Sequence, residues 1–270
     1  MGPNNSDSPP DGKPEALANL FAKQEEAISR YRKDLLVKGA RIMMNRISRA
    51  YKLARAQAGL SRLKREADAR LNHPAELVSL VFQYSGSIFR PLQIEAELVQ
   101  LVSEVRELSP RTVLEIGTAN GGTLLLWTCL AQHDATIVSI DLPGGKFGGG
   151  YSERRASLYR RFAGKGQKLH LLRENSHAVS TCEKARRLFN GNPVDLLFID
   201  GDHSYEGVKA DWEMYSTLVR PGGMIVFHDI AGNYDDTQVK RLWDSIKLEF
   251  EHREYTFGTN GFFGIGVLLK

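Results

Sequence analysis

The run Leu196-Leu197-Phe198-Ile199-Asp200-Gly201-Asp202-His203 passes within eight residues from four apolar side chains to two carboxylates and an imidazole. A short apolar run that ends in such turn residues reads as a buried strand, and the polar end marks the rim of an open α/β sheet where ligands bind. Met224-Ile225-Val226-Phe227 ends in the same way, in His228-Asp229. Two such strands side by side would deliver Asp200, His203, His228 and Asp229 to one rim. Carboxylates and imidazoles together serve metal coordination and proton transfer. Taken singly, each end also reads as a strand cap leading into a helix; two ends with one pattern make a site the stronger reading.

Outward from this run, the hydrophobic spacing predicts strands over 113–116, 136–140, 169–172, 195–199 and 224–227. Helical patterns separate them over 121–133, 154–162, 179–190 and 205–218, with a further helix before them from Pro91 to Leu108 that Ser109-Pro110 stops. This rhythm predicts an α/β fold: a doubly wound, Rossmann-like, mostly parallel sheet. A helix over 237–250 and two closing strands over 253–257 and 262–268 add a C-terminal antiparallel hairpin, for seven strands in all. An N-terminal helical extension precedes the domain.

The chain has 270 residues, 42% of them hydrophobic and 25% charged, enough for one sizeable α/β domain with an appendage. Residues 1–14 are polar and Pro-rich, which predicts a disordered tail and not a signal peptide. No apolar run approaches the roughly 20 residues that span a bilayer. A cytoplasmic protein is expected. Cys129 and Cys182 lack metal-type spacing and read as buried thiols.

The net charge of +4 is uneven. Residues 1–75 carry 15 Lys/Arg against 8 Asp/Glu, leaving 21 against 24 for residues 76–270. Over 15–75 the pattern is helical, with Leu36, Ala40, Met43, Ile47, Ala50, Ala54 and Ala58 on one face, and Gly39 and Gly59 as points of interruption. Between Leu35 and Arg65 there are nine Lys/Arg and no Asp/Glu. Such a basic amphipathic stretch suits packing in a homo-oligomer first, a peripheral position on a membrane surface second and nucleic acid last.

The turn after the first strand, Glu115-Ile116-Gly117-Thr118-Ala119-Asn120-Gly121-Gly122-Thr123, lets the backbone approach a ligand closely. Its glycine spacing matches neither the triphosphate-binding loop nor the strict dinucleotide pattern. The second strand ends in Asp141, whose carboxylate can accept both hydroxyls of a ribose. A ribose-bearing ligand without a pyrophosphate is favoured.

From residue 77 or so to the end, these features resemble the class I S-adenosylmethionine-dependent methyltransferases. The Val113 to Thr118 run with Gly121-Gly122 looks like the family's first motif, Asp141 like its ribose-binding acid and Asn175-Ser176-His177 like its adenine-side loop. With Phe198 to Gly207 and Phe227-His228-Asp229 the chain is most similar to the metal-dependent O-methyltransferases, nearest the macrolide-sugar methyltransferase and cephalosporin-hydroxylase-like branch. The resemblance implies a cofactor site of Glu115, Gly117, Thr118, Ala119, Asn120, Gly121, Gly122, Asp141, Ser176 and Asp200. It implies Asp200 as a metal ligand and His203 as the base. The second metal pair, usually Asp-Asn or Glu-Asp, is here His228-Asp229, so the implied ligand set is Asp200, His228 and Asp229, with magnesium the first choice of metal.

The implied reaction is methylation of a hydroxyl on a small polar acceptor such as a sugar or glycosylated metabolite. A hydroxylase-like oxidoreductase on the same fold, and a membrane- or RNA-binding module with a vestigial site, are the competing readings. Asp202 reads as a helix cap, Glu206 and Asp211 as solvent-facing or salt-bridged, Trp127 and Trp212 as core. The loop from Pro143 to Tyr151 reads as a lid, and Arg154 and Arg155 as contacts for an anionic acceptor.

Overall fold

The computed structural model describes residues 38, 43–44, 47–48, 50–84, 88–144, 150–232, 238–257 and 263–270. The expected tail over 1–14, Gly39 and most of the expected lid lie outside them. The chain divides into two compact units, Met1–Tyr51 and Lys52–Lys270. In the first, the described residues are helical, and Met43, Met44 and Ile47 are exposed.

The second unit holds a seven-stranded sheet in the order β3-β2-β1-β4-β5-β7-β6. Its strands are β1 (Thr112–Ile116), β2 (Thr136–Ile140), β3 (Lys168–Leu172), β4 (Val194–Ile199), β5 (Val219–His228), β6 (Glu251–Tyr255) and β7 (Ile265–Leu269). The first five are parallel, and β7 runs antiparallel between β5 and β6. Because side chains alternate along a strand, the sheet builds two cores. Val113, Ile137, Leu196, Phe198, Val226 and Val267 face one; Leu114, Val138, Leu197, Ile199, Ile225 and Leu268 face the other.

The first core is covered by a helix over 52–68 (α1), α2 (Pro74–Gln83), α3 (Glu95–Leu108), α4 (Gly122–Leu130) and α5 (Glu153–Tyr159). The second is covered by α6 (Val179–Leu188), α7 (Tyr205–Tyr215) and α8 (Val239–Ile246). Most of these helices bury one stripe, as an amphipathic helix beside a sheet must, whereas α4 is buried almost all round.

Several sequence expectations are corrected. In α1 the buried residues are Ala56, Leu60, Leu63 and Ala67, whereas Ala54 and Ala58 of the expected face are exposed. The larger Leu side chains bury more apolar area than Ala, and they select the face. Gly59 does not interrupt this helix; a Cβ there would meet the Tyr84 hydroxyl at 2.3 Å, so the missing side chain admits the Tyr84 ring. Helix α3 starts four residues later than expected, after Ile94 in an extended conformation, which frees Pro91, Leu92 and Gln93 to line a crevice. Strand β5 is longer than expected and runs through Pro221-Gly222-Gly223. Helix α8 is shorter, and the chain continues as a 3-10 turn over Lys247–Glu249. Among the described residues no helix is long and apolar enough to cross a membrane.

Candidate active site

Strand order reverses between β1 and β4, and at such a switch point the two following loops diverge and open a crevice. The residues that leave these strands are Gly117 and Asp200. The Gly117 amide donates to Ile140 O at 2.9 Å and the Asp200 amide to Ile116 O at 2.8 Å, so both loops start from one fixed point. Gly117 has φ +88°, and a Cβ on it would lie 1.9 Å from the Asp200 carbonyl oxygen. Only glycine fits there.

The turn from Gly117 to Gly122 is held from several sides. Asp141 at the end of β2 accepts from the amides of Thr118 (3.0 Å) and Ala119 (2.8 Å) through Oδ2, and from Leu142 (2.7 Å) through Oδ1. Burial raises the Asp141 pKa even though these amides favour its charged form. Tyr159 donates to Ala119 O at 2.9 Å, and Arg155 donates to Asn120 Oδ1 at 3.0 Å. Arg155 is thus a clamp on the turn, and Arg154 is exposed. The Ser176 carbonyl accepts from the Tyr215 hydroxyl at 2.7 Å.

Glu115 is fully buried beneath α4, where Oε1 accepts from Thr123 (2.7 Å) and Trp127 (3.0 Å) and Oε2 has no partner. Burial pushes its pKa up to about 8. Trp127 is core, as expected, and Trp212 is partly buried against the second core. Cys182 is buried and Cys129 half-buried, both as free thiols.

The polar ends of β4 and β5 meet beside this turn. His228 Nδ1 lies 3.0 Å from Asp200 Oδ1 and 3.3 Å from Asp229 Oδ1. His203 lies with Nε2 3.3 Å from Asp200 Oδ1 and Nδ1 3.2 Å from Asp229 Oδ2. Burial opposes charge on Asp200, but His228 and His203 more than offset it and hold the carboxyl well below the usual range. Burial also opposes charge on His228, and Asp200 nonetheless pushes that imidazole up to about 9. His203 is raised against its burial by Asp200 and Asp229, whereas burial raises Asp229. Asp229 has φ +65°, an uncommon backbone for a residue with a side chain, and one associated with functional sites.

This donor set fits a divalent cation. Asp200, His203 and Asp229 each offer one ligand atom, all within 4.8 Å of one another. His228 is also within hydrogen-bond reach of both carboxylates, and its buried Nε2 has no partner. The four residues read from the two strand ends are therefore together.

Two participants had no signal in the sequence. Gln93 donates from Nε2 to Asp200 Oδ2 at 2.6 Å from the irregular stretch before α3. Glu97, fully buried in α3, accepts from the amides of Phe257 (2.9 Å) and Gly264 (3.1 Å) and ties the hairpin to α3. Both pairings span more than 100 residues. Asp202 accepts from the Ser204 amide, while the cap of α7 is Ser204, whose hydroxyl reaches the Gly207 amide. Asp211 is buried and lies 3.5 Å from His177 Nε2, the salt-bridged of its two expected placements, and Glu206 is exposed.

Arg90, Gln93, Gly117, Asn120 and Asp200 line one narrow crevice. A wider groove of about 490 Å³ adjoins it, lined by Phe82, Arg90, Leu92, Gln93, Glu95 and Phe263 among others. That volume is in the range of small-molecule sites.

A family model described as a methyltransferase domain matches residues 114–230. The uncharacterised protein R132 of Acanthamoeba polyphaga mimivirus is 27% identical over 169 residues, 62% of this chain and 73% of that protein. A Staphylococcus aureus structure assigned as a caffeoyl-CoA O-methyltransferase is similar in fold, with TM-score 0.50 at 14% identity over 71% of this chain and 91% of that one. The O-methyltransferase TomG from Streptomyces achromogenes gives TM-score 0.49 at 18% identity over 73% and 89%.

Proposed function

We propose, from the match of residues 114–230 to a methyltransferase-domain model, that the chain is an S-adenosylmethionine-dependent O-methyltransferase, assisted by a divalent cation, that acts on a hydroxyl of a small polar acceptor. One observation carries this reading: the glycine turn of β1 and the Asp200, His203, Asp229 cluster share the rim of a single switch point. The donor's ribose would be held by Asp141, its amino acid end by the Gly117 to Gly122 turn above Glu115 and its adenine side by Ser176. The acceptor would lie in the adjoining groove, a site suited to a sugar or glycosylated metabolite.

Methyl transfer from a sulfonium is an in-line displacement, so the acceptor oxygen must be about 3 Å from the methyl carbon, aligned and stripped of its proton. Asp200, Asp229 and His228 would hold the cation, which would supply positive charge to stabilise the developing alkoxide. His203 would take the hydroxyl proton on Nε2, the nitrogen that faces Asp200 Oδ1 at 3.3 Å, while Nδ1 is held 3.2 Å from Asp229 Oδ2. Gln93, by donating to Asp200 Oδ2, leaves Oδ1 turned toward the imidazoles. Glycines at 117 and 122 let the Asp200 and Phe89 main chains pack against the turn, since a Cβ at either position would collide with their carbonyl oxygens.

The test is S-adenosylhomocysteine release by the full chain with S-adenosylmethionine, Mg²⁺ or Mn²⁺ and a panel of sugars and vicinal diols. Asp200→Asn is expected to abolish release. Release that persists without oxygen separates this chemistry from hydroxylation. Full activity of Asp200→Asn would contradict the reading.

A further inference from the structure

Met43, Met44 and Ile47 are 63%, 67% and 54% exposed, although large apolar side chains at helical spacing ordinarily face a core. Met44 and Met43 precede Ile47 by three and four residues, so each shares a side of the helix with Ile47 and the three form one stripe. The sequence sets this stripe among Lys38, Arg41, Arg46 and Arg49, and no Asp or Glu occurs between Leu35 and Arg65. We infer that this segment is an amphipathic anchor that seats the enzyme on an anionic lipid surface.

Charge separates the possible occupants. A second copy of the segment would bring cations against cations. Several acids of the second unit are already paired within it: Glu153 with Arg160 and Arg173, Asp244 with Lys240 and Lys247, Glu104 with Arg253. Those acids are committed within their own unit, which weakens the second unit of another copy as the partner. RNA would satisfy the cations but leaves two methionines and an isoleucine in water, because unstacked bases select aromatic and guanidinium planes. A bilayer surface takes both halves: acyl chains receive Met43, Met44 and Ile47, and anionic headgroups receive the Lys and Arg side chains.

The experiment is flotation of the full chain with phosphatidylcholine vesicles and with phosphatidylcholine/phosphatidylserine vesicles, beside the Met43→Glu/Ile47→Glu variant. The chain is expected to float only with the anionic vesicles, and the variant to bind at least about tenfold more weakly. Binding should also weaken as salt is raised. Unaltered thermal unfolding of the variant shows that its fold is intact. Equal flotation with both lipids, equal binding by the variant, or no flotation at all would overturn the assignment. So would a dimer that the variant dissociates or an RNA complex that it disrupts, if either occurs in a chain that does not float.

Discussion

Glu115 carries a consequence that can be read without any ligand. Its pKa is raised by burial from 4.5 to about 8, so between those values the folded chain keeps a proton that the unfolded chain has released. Stability is therefore full below about pH 4.5 and falls as pH rises through about 8, by up to about 1.4 kcal/mol per pH unit. Glu115→Gln keeps an acceptor for Thr123 and Trp127 and removes the titration. Urea unfolding at about pH 6 and about pH 9 should show the wild type losing much more stability than the variant. Equal losses would mean that Glu115 ionises without cost.

Gln93 offers a second test at this scale. It bonds Asp200 without belonging to the strand ends. Gln93→Ala is expected to lower turnover or metal affinity by roughly 10- to 100-fold, the usual effect of removing a group that orients a ligand. Unchanged metal titration and turnover would exclude that role. The sequence displays Asp200, His203, His228 and Asp229 because local pattern places them at strand ends. It cannot display Gln93, Glu97 or Arg155, whose roles arise from packing between distant segments.

At the level of elements, the parallel strands were legible because buried runs of Val, Leu and Ile alternate with amphipathic helices. Boundaries were less so. Helix α3 begins where Ile94 is extended, and α1 buries Leu60 and Leu63 where the spacing of smaller residues pointed elsewhere. Both outcomes depend on tertiary contacts that periodicity does not contain. Glu97 joins α3 to the hairpin through the amides of Phe257 and Gly264, the second of them buried. Glu97→Ala should cost roughly 2 kcal/mol, chiefly from leaving the buried Gly264 amide unpaired. A denaturation midpoint within experimental error of wild type would show that the hairpin is held by its strand pairing alone.

Across the whole molecule, the compact unit begins at Lys52, inside the segment that the sequence suggests is an extension. Ala56, Leu60, Leu63 and Ala67 belong to the first core, so deleting residues 1–51 should leave a cooperatively unfolding domain and deleting 1–75 should not. Thermal melts of the two truncations decide this, and equal stability would contradict it. Loss of vesicle flotation in the shorter truncation would further link residues 1–51 to the membrane.

The central claim is that the β1 and β4 rim binds a methyl donor, and it can be tested without knowing the acceptor. Calorimetric titration of S-adenosylhomocysteine into the full chain should give a saturable isotherm, weakened at least about tenfold by Asp141→Ala through loss of the ribose partner and its hold on the turn. No saturable heat in the wild type, or an unchanged affinity in the variant, would contradict the account.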